Sequence, residues 1–394
     1  MAKDRPVKIA LVWAQFAAYH IDRCEAVAER LGARAEVLAV EVATTSTDYA
    51  WAPSGAIAGV RKVTLFPGKS YEELSHFQRF FALLGVLRRY DWVMIGLSYA
   101  APDVIALTWV LRLFGTKCVI FSESKADDRT RKPLIEWGKR VVMICYHGAI
   151  VGAARHVAYM RSLGFGTRAV LPGYDGVGVA RIRAQAGGVL APEGAAFAER
   201  PFVFIGRFVD KKNLPTLIDG YAAYVAAAGT RARRMVLAGS GAEEAEIRRR
   251  MDAGGVAHLV DFPGFLSAKQ VSELLARALA LVLVSREEQW GLVVNEALAL
   301  GVPAIVSKQV GSRDALVRNG VNGVVVDSES VAEIADALAA IASDEARWRE
   351  WVARCHARSW LGDTGRLADA VEVMLGMAGP QVEARLVHFT QEVC

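Results

Sequence analysis

The stretch SREEQWGLVVNEALALGVPAIVS, residues 285–307, predicts a strand end, a loop, a helix and a second strand in immediate succession. The apolar run ALVLVS (280–285) leads into it and predicts a buried strand. The helix is expected over residues 292–300, because Gly301 follows its last turn and Pro303 comes shortly after. A buried strand, a short loop and a helix form the repeating unit of parallel α/β proteins.

Two acidic residues flank the predicted start of this helix. Glu288 falls in the loop and Glu296 in the second helical turn. The backbone N–H groups of Gly291, Leu292 and Val293 come between them, at the positive end of the helix, where phosphates bind. One acid could hold a sugar and the other a ribose. The alternative is that Glu288 is a surface residue and that Glu296 caps or pairs locally.

The alternation of strand and helix continues along the whole chain. Short β-branched runs are separated by longer helical patterns, which is typical of parallel sheets. Two such sets of elements predict two Rossmann-like domains facing one another, with ligands beyond the carboxyl ends of the strands. The expected strands cover residues 8–14, 91–97, 117–123, 141–147, 167–172, 201–207, 234–240, 258–264, 280–285, 303–307 and 323–327, with helices that include 20–31, 71–89 and 103–114.

The composition argues against several classes of protein. Of the 394 residues, 53% are hydrophobic and 23% are charged, which argues for folded cores and against extended disorder. The net charge of +5 is scattered, which suits anionic small ligands or an acidic membrane face better than nucleic acid. Five cysteines without a CxxC pair argue against a disulfide framework or zinc site and for a reducing cytosol. With no apolar run of ~18 residues and no signal peptide, we expect a soluble or peripheral protein.

The residues that follow the strands of the second half are candidates for ligand binding. Arg207 and Lys212 place a guanidinium and an ammonium group at a helix start, which suits a diphosphate, although two solvated cations fit equally well. Gly264 permits close approach of a ligand, and Phe265 could stack on a nucleobase or pack in the core. The turn AGSG (238–241) opens a helix, but its glycines are also explained by a tight turn alone.

Several of these segments together resemble one family. Residues 285–307 resemble the E-x7-E signature of retaining GT-B glycosyltransferases of family 4, through Glu288, Gly291-Leu292, Glu296-Ala297, Gly301 and Pro303. The departures there are Gln289-Trp290, which could reshape the sugar pocket, and Asp314 in place of the usual Glu. Other family segments are similar to GRFVDKKNLPTLI (206–218), AGSGAE (238–243), VDFPGF (260–265), VGSRDALVRNGVNGVVV (310–326) and LPGYD (171–175).

The resemblance implies a function for each matched residue. Glu288 would contact the transferred sugar, Glu296 would hold the ribose hydroxyls, and Arg207 and Lys212 would neutralise the leaving diphosphate of a UDP- or GDP-sugar. No metal or other cofactor would be required, and no Asp-x-Asp motif is present to bind one. The implied fold is α/β of the GT-B type. Its expected parts are an acceptor-side domain over 1–178, a linker over 179–200, a nucleotide-sugar domain over 201–378 and a helix over 379–394 that crosses back to the first domain.

The first half follows the family pattern less closely. The Gly-Gly loop expected after the first strand is replaced by Ala14-Gln15-Phe16, and the His expected near residue 122 is replaced by Ser122-Glu123-Ser124-Lys125. Gln15, His20, Glu123 and Lys125 are therefore candidates for the acceptor side by position only. A satisfied residue at a helix start is the alternative for His20.

Other functions remain open at this point. A Walker loop at FPGKS (66–70) is rejected because the earlier glycine is missing. A sugar-nucleotide epimerase, a phosphorylase-like enzyme and a catalytically silent scaffold share the GT-B architecture. Basic residues in 127–140 and the amphipathic segment 71–89 could meet a membrane or be solvated helix faces. The favoured interpretation is a retaining, metal-independent glycosyltransferase of the cytoplasm or inner membrane face, acting on a glycan or lipid-linked acceptor of a bacterial surface polysaccharide.

Overall fold

The chain folds into two compact units that do not follow simple sequence order. The computed structural model describes residues 5–47, 55–128 and 130–394. The N-terminal unit comprises the described residues within Met1–Ala126, Thr130–Gly176 and Thr364–Glu392. The C-terminal unit comprises those within Asp127–Arg129, Val177–Asp363 and Val393–Cys394. The main part of the C-terminal unit is therefore inserted between two parts of the N-terminal unit.

The sheet of the N-terminal unit contains seven strands that all pair in parallel. These are β1 (Val7–Trp13), β2 (Ala35–Thr45), β3 (Arg61–Ser70), β4 (Trp92–Ile95), β5 (Lys117–Ser122), β6 (Gly148–Val151) and β7 (Val170–Pro172). Their order in the sheet is β3-β2-β1-β4-β5-β6-β7. The order reverses between β1 and β4, which creates a crevice beyond the carboxyl ends of these two strands, where open α/β sheets bind ligands.

The sheet of the C-terminal unit contains six parallel strands. These are β8 (Phe202–Ile205), β9 (Met235–Ala238), β10 (Val260–Gly264), β11 (Ala280–Leu283), β12 (Ala304–Ser307) and β13 (Gly323–Val326). Their order is β10-β9-β8-β11-β12-β13, so the reversal lies between β8 and β11. The prediction of an α/β fold with two parallel sheets is confirmed, and each sheet has one switch point.

Helices connect the strands and cover the sheets. In chain order they are α1 (Ala18–Leu31), α2 (His76–Leu87), α3 (Pro102–Leu113), α4 (Pro133–Met143), α5 (Ala154–Met160), α6 (Val179–Gln185), α7 (Leu214–Ala228), α8 (Glu244–Ala253), α9 (Ala268–Ala276), α10 (Leu292–Ala299), α11 (Arg313–Leu316), α12 (Val331–Ala342), α13 (Glu345–Arg358), α14 (Gly365–Met374) and α15 (Pro380–Val393). In the N-terminal unit α2 packs against α3, and α1 packs against α14. The connection from β1 to β2 through α1 runs in one direction along the sheet, and the connection from β4 to β5 through α3 runs in the other. Because right-handed connections in opposite directions place their helices on opposite faces, both faces of this sheet are covered.

The first half contains the main differences from the sequence-based expectation. The predicted strand at 141–147 is wrong, because Val141 and Met143 belong to the last turn of α4 and the strand β6 begins only at Gly148. The Arg168 guanidinium donates to the carbonyl oxygens of Met143 (2.5 Å) and Tyr146 (2.6 Å), so this helix end is capped by a side chain from a distant residue. Two strands, β2 and β3, were not predicted at all.

The unit boundaries also differ from those expected. The predicted linker, 179–200, contains α6, and its backbone is bonded into the C-terminal unit: Ala191 N–H donates to Leu300 O at 3.0 Å. Arg200 is fully buried there and donates to the carbonyl oxygen of Ala276 at 3.1 Å. The segment that rejoins the N-terminal unit starts at Thr364, before the expected position 379, and contains α14 as well as α15.

Candidate functional site

Three loops at the carboxyl ends of β8, β9 and β10 are joined by backbone hydrogen bonds. Gly206 N–H donates to Ala238 O (3.0 Å), Phe208 N–H donates to Ser240 O (2.8 Å) and Gly239 N–H donates to Gly264 O (2.9 Å). These bonds hold the loop that carries Arg207 in a fixed position beside the switch point of the sheet.

The glycines of the AGSG turn are explained by this backbone contact. A Cβ atom on Gly239, whose φ is +138°, would lie 1.9 Å from the carbonyl oxygen of Gly206. On Gly241 it would lie 2.3 Å from the carbonyl oxygen of Phe208. The turn needs glycine because two chain segments pass closer than any side chain permits.

Lys212 and Glu288 meet at the switch point between β8 and β11. Lys212 ends a short 3₁₀ turn (Asp210–Lys212) after β8, and Glu288 lies in the loop after β11. The Lys212 ammonium forms an ion pair with Glu288 Oε2, and both side chains are only 14% exposed. Ser285 Oγ donates to the same carboxylate oxygen at 3.2 Å. The two predicted residues, 76 positions apart, are therefore direct partners.

Hydrogen bonds hold the Glu288 loop to the segment 311–312 and to the helix α10. Gly311 N–H donates to Glu288 O at 3.1 Å, and Ser312 N–H donates to Trp290 O at 3.0 Å. The Trp290 side chain is buried, and its indole N–H donates to Asn295 Oδ1 of α10 at 2.9 Å. Since a buried indole N–H needs a partner, this tryptophan anchors the loop to the helix.

The helix α10 begins at the position that the sequence predicted. Its N-cap residue, Gly291, has φ +92°, and a Cβ atom there would lie 2.9 Å from Leu283 Cδ2 and 3.4 Å from Glu288 Cγ. Leu292 and Val293 form the first helical positions, whose N–H groups have no carbonyl partner inside the helix. Glu296 follows in the second turn and is partly buried.

Arg207 and Phe265 are exposed at the same edge of the sheet. Arg207 follows β8 directly, and Phe265 follows β10 with 65% of its surface exposed. The core-packing alternative for Phe265 is therefore wrong. Gly264, which precedes it, has φ +75°, and a Cβ atom there would meet nothing within 4 Å. An exposed aromatic ring next to an unhindered glycine leaves room for a flat ligand.

The N-terminal unit has a cleft of about 360 Å³ at its own switch point. Gln15 comes from the loop after β1, Gly96 from the loop after β4, and Glu123 from the loop after β5. His20 also lines this cleft, so the structure brings together three of the four acceptor-side candidates. The fourth, Lys125, is fully buried and does not line it. Aromatic rings form much of the wall, from Trp13, Tyr19, Tyr71 and Tyr174.

His20 has a structural role at the start of α1. Its Nδ1 accepts the N–H of Ala17, the N-cap residue, at 2.9 Å. Burial, and then the charge of Arg23, lower the pKa of His20 well below its usual range, so the ring is neutral. The helix-start alternative is thus correct, although the same ring also forms part of the cleft wall.

We expect His20→Gln to reduce the pH dependence of folding stability. In the wild type, the unfolded state binds a proton below about pH 6.5 and the folded state does not, so stability falls by up to ~1.4 kcal/mol per pH unit as the pH is lowered. Gln can accept the same N–H at this helix position but does not titrate. Urea unfolding between about pH 5 and 8 would measure the difference, with exposed His258→Gln as the control. Parallel stability curves for wild type and His20→Gln would contradict this assignment.

Two buried ionisable residues near this cleft, Asp175 and Arg23, are not predicted from the sequence. Asp175 interacts with Glu123, and burial followed by the Glu123 carboxylate raises the pKa of Asp175 well above its usual range. The guanidinium of Arg23, fully buried, lies 3.5 Å from Asp175 and 4.5 Å from the Tyr174 ring centroid. The segment LPGYD (171–175) contains Asp175 and could have drawn attention to it, whereas Arg23 lies in no matched segment.

Glu72 is the second missed acid and carries a full negative charge. Burial opposes its ionisation, but hydrogen bonds from Ser46, Ser70 and the Thr47 N–H lower the pKa of Glu72 to about 2. The cleft therefore combines aromatic rings with ionised carboxylate, a lining suited to a ligand rich in hydroxyl groups. Over the described ranges, no group of three or more His, Cys, Asp or Glu side chains is placed to hold a metal ion.

The sequence is similar to known glycosyltransferases over its C-terminal part. Residues 193–356 match the family described as Glycosyl transferases group 1. The chain is 29% identical over 147 residues to an alpha-D-kanosaminyltransferase of Streptomyces kanamyceticus, covering 37% of each. It is 35% identical over 153 residues to a GDP-mannose-dependent alpha-(1-6)-phosphatidylinositol dimannoside mannosyltransferase of Mycobacterium tuberculosis, covering 39% of this chain and 38% of the relative. The alignments thus span less than two-fifths of these relatives.

Solved structures share the fold over almost the whole chain. Sucrose-phosphate synthase from Thermosynechococcus elongatus has a TM-score of 0.69 at 19% identity and covers 97% of this chain and 99% of its own. HepE of Anabaena in complex with UDP and glucose has a TM-score of 0.69 at 15% identity, covering 94% and 100%. The fold is therefore GT-B, as predicted. The matched family, the relatives and this fold together support a place for the chain in the GT-B superfamily of glycosyltransferases.

Proposed function

We propose that this chain transfers a sugar from a nucleoside-diphosphate sugar to a hydroxyl acceptor, with retention of configuration, as an E-x7-E glycosyltransferase of family 4. The observation that carries the proposal is the Lys212–Glu288 ion pair at the switch point of the C-terminal sheet, beside the start of α10. A cation, a carboxylate and the first N–H groups of a helix are the groups that a diphosphate and a reacting sugar need.

The proposed donor site extends along the carboxyl ends of the strands. Arg207 and Lys212 bind the diphosphate together with the N–H groups at the start of α10, and Glu296 binds the ribose hydroxyls. Gly264 and Phe265 hold the base, which is consistent with the exposure of that ring and the open space at the glycine. Glu288 faces the transferred sugar.

The chemistry follows from this arrangement of charges. The bond between the anomeric carbon and the diphosphate oxygen breaks, and its electron pair leaves with the diphosphate. The acceptor hydroxyl attacks from the same face and passes its proton to the departing phosphate. Positive charge on the sugar is stabilised by Glu288, and negative charge on the leaving group by Lys212 and Arg207, so the proposal requires neither a protein nucleophile nor a metal.

For the donor and the acceptor we propose chemical classes and not single compounds. The mannosyltransferase relative is GDP-mannose-dependent, and HepE was solved with UDP-glucose, so we retain both UDP and GDP as donor nucleotides. The cleft of the N-terminal unit, with Gln15, His20 and Glu123, is the proposed acceptor site. The proposed acceptor is a glycan or lipid-linked intermediate of a bacterial surface polysaccharide. The proposed location of the protein is the cytoplasm or the inner membrane face. Among the helices of the described residues, none combines the length and apolar character needed to cross a bilayer.

We expect Lys212→Ala and Arg207→Ala to weaken nucleoside diphosphate binding by about 1.5–3 kcal/mol, the range for hydrogen bonds to charged groups. Calorimetric titration of UDP, GDP, ADP and phosphate, without metal, measures this loss in each variant. Lys269→Ala is a suitable control, since this lysine is exposed on α9 of the same unit. Unchanged affinity in both site variants would contradict the diphosphate assignment. A wild type that binds none of the four compounds would indicate a silent scaffold, and turnover without an acceptor would indicate an epimerase.

A further inference from the structure

The N-terminal unit exposes an unusual number of large apolar side chains in one part of the chain. Of the fourteen such exposed side chains among the described residues, ten lie between positions 77 and 144. Leu113 is 84% exposed, Leu134 is 79% exposed and Trp137 is 62% exposed. Exposure of single apolar residues is ordinary, but a contiguous patch marks a surface that meets another apolar phase.

These side chains belong to three neighbouring helices. The helices α2, α3 and α4 lead successively into β4, β5 and β6, which are adjacent in the sheet, so right-handed crossovers put all three on the same face. α2 packs against α3, and Arg112 of α3 donates to the carbonyl oxygen of Ile144 at the end of α4 (3.1 Å). The helices therefore form one continuous layer.

Each of the three helices presents its apolar side chains at helical spacing. Phe77 and Phe81 are one turn apart on α2, with ring centroids 4.6 Å apart. Trp109 and Leu113 have the same spacing on α3, and Trp137 and Val141 have it on α4. This spacing lines the residues along the outer side of each helix, while the opposite sides fill the core.

The same layer is basic and lacks unpaired acids. Within α2, α3 and α4 the acidic residues are Asp103, which is buried and bound to Arg79 at 2.8 Å, and Glu136, which pairs with Lys139 at 2.7 Å. Exposed basic residues occupy these helices and their ends, namely Arg88, Arg89, Arg112, Lys132 and Arg140. Cations on long stems around an apolar patch are the pattern of a surface that lies on an anionic bilayer.

We infer that the outer face of α2, α3 and α4 is a docking surface for an anionic lipid bilayer. The inference rests on the proposed function, because docking on a bilayer would bring the N-terminal unit to a lipid-linked acceptor. A second copy of the chain is a poorer occupant, because a two-fold contact would oppose the patch to itself and bring its basic residues together. A bilayer with anionic headgroups complements both the apolar centre and the basic residues.

Vesicle flotation of the full chain tests the inference. Two vesicle types are compared, phosphatidylcholine alone and phosphatidylcholine with an equal amount of phosphatidylglycerol. The wild type is expected to float with the anionic vesicles and to lose affinity as salt is raised. Leu113→Glu combined with Leu134→Glu is expected to reduce partitioning by ~10-fold or more, because two apolar contacts with the bilayer are replaced by charges that anionic lipids repel.

The control is Val387→Glu, on α15 of the same unit, where the valine is 57% exposed and lies outside the surface. It should float like the wild type, and thermal unfolding should show that all variants remain folded. Absence of wild-type flotation, or equal loss in Val387→Glu, would overturn the inference. Self-association that the double variant abolishes, without vesicle binding, would overturn it in favour of a contact between copies. Calorimetry of nucleoside diphosphate binding with the same variants separates a failure of the docking inference from a failure of the proposed function.

Discussion

Glu288→Gln is expected to lower turnover by roughly 100- to 1000-fold, the range seen when one preorganised electrostatic group is removed from an active site. The affinity for the nucleoside diphosphate should not fall, and an increase is the expected direction. The two effects have one cause, which is the ion pair between Glu288 and Lys212.

The proposed mechanism gives the carboxylate of Glu288 two successive interactions. Before the donor binds, it neutralises Lys212, and the diphosphate must compete for that ammonium group. In the proposed transfer step, it would face the sugar as positive charge develops at the anomeric carbon. An amide keeps the shape and the hydrogen bond from Ser285 but loses the charge, so Lys212 is released for the diphosphate while the transition state loses its stabilisation.

Steady-state turnover and calorimetry of the same variant separate these effects. Glu287→Gln is a matched control because it changes the adjacent acid of the same loop. Full activity in Glu288→Gln would mean that the acid is structural. A loss of nucleotide affinity comparable with that of Lys212→Ala would mean that Glu288 serves mainly to position the lysine.

Gly311→Ala is expected to destabilise the C-terminal unit by about 3 kcal/mol, at the upper end of the usual cost of overpacking. The Cβ atom would lie 1.7 Å from the carbonyl oxygen of Gln289, which is backbone and cannot rotate away. Gly311 also donates its N–H to Glu288 O, so the shift needed to relieve the clash would move the Glu288 loop. Residual activity should therefore fall together with stability.

Denaturant unfolding measures the change in the free energy of unfolding. The control is Gly85→Ala in α2, where a Cβ atom meets nothing within 4 Å and the change should stabilise by about 0.5–1 kcal/mol through helix propensity. A Gly311→Ala variant as stable and as active as the wild type would contradict this prediction.

The sequence predicted the C-terminal sheet well because local patterns suffice there. Each strand is a short apolar run that a glycine or a polar loop ends, and all six predicted strands are present within a few residues of their expected positions. The strands β2 and β3 escaped prediction because charged residues interrupt them. Glu41 in β2 is 2% exposed, and its buried carboxylate is bound by Lys62 (3.0 Å) and Thr64 (2.7 Å) of β3 and by the N–H of Phe16 (2.9 Å). Such pairing between strands has no local signature.

In the candidate site, too, local motifs were predictable from the sequence and contacts between distant segments were not. Glu288, Lys212 and the start of α10 were predicted from motifs, but their direct contact depends on β8 and β11 lying side by side across the switch point. Trp290 is buried and its indole N–H donates to Asn295 Oδ1, five residues away, so its effect on the shape of a sugar pocket stays a prediction. Asp175 and Arg23 were missed because their proximity is created by the fold alone.

The return of α14 to the N-terminal unit has a consequence for the order in which the protein is made. Asp369 of α14 is fully buried and pairs with Arg366 of the same helix, with Arg30 of α1 and with Arg385 of α15, so its full set of partners needs all three helices. Residues 364–392 leave the ribosome after the entire stretch 177–363. A nascent chain halted at residue 363 would therefore carry all six strands of the second sheet, while α1 would still lack its packing partner α14.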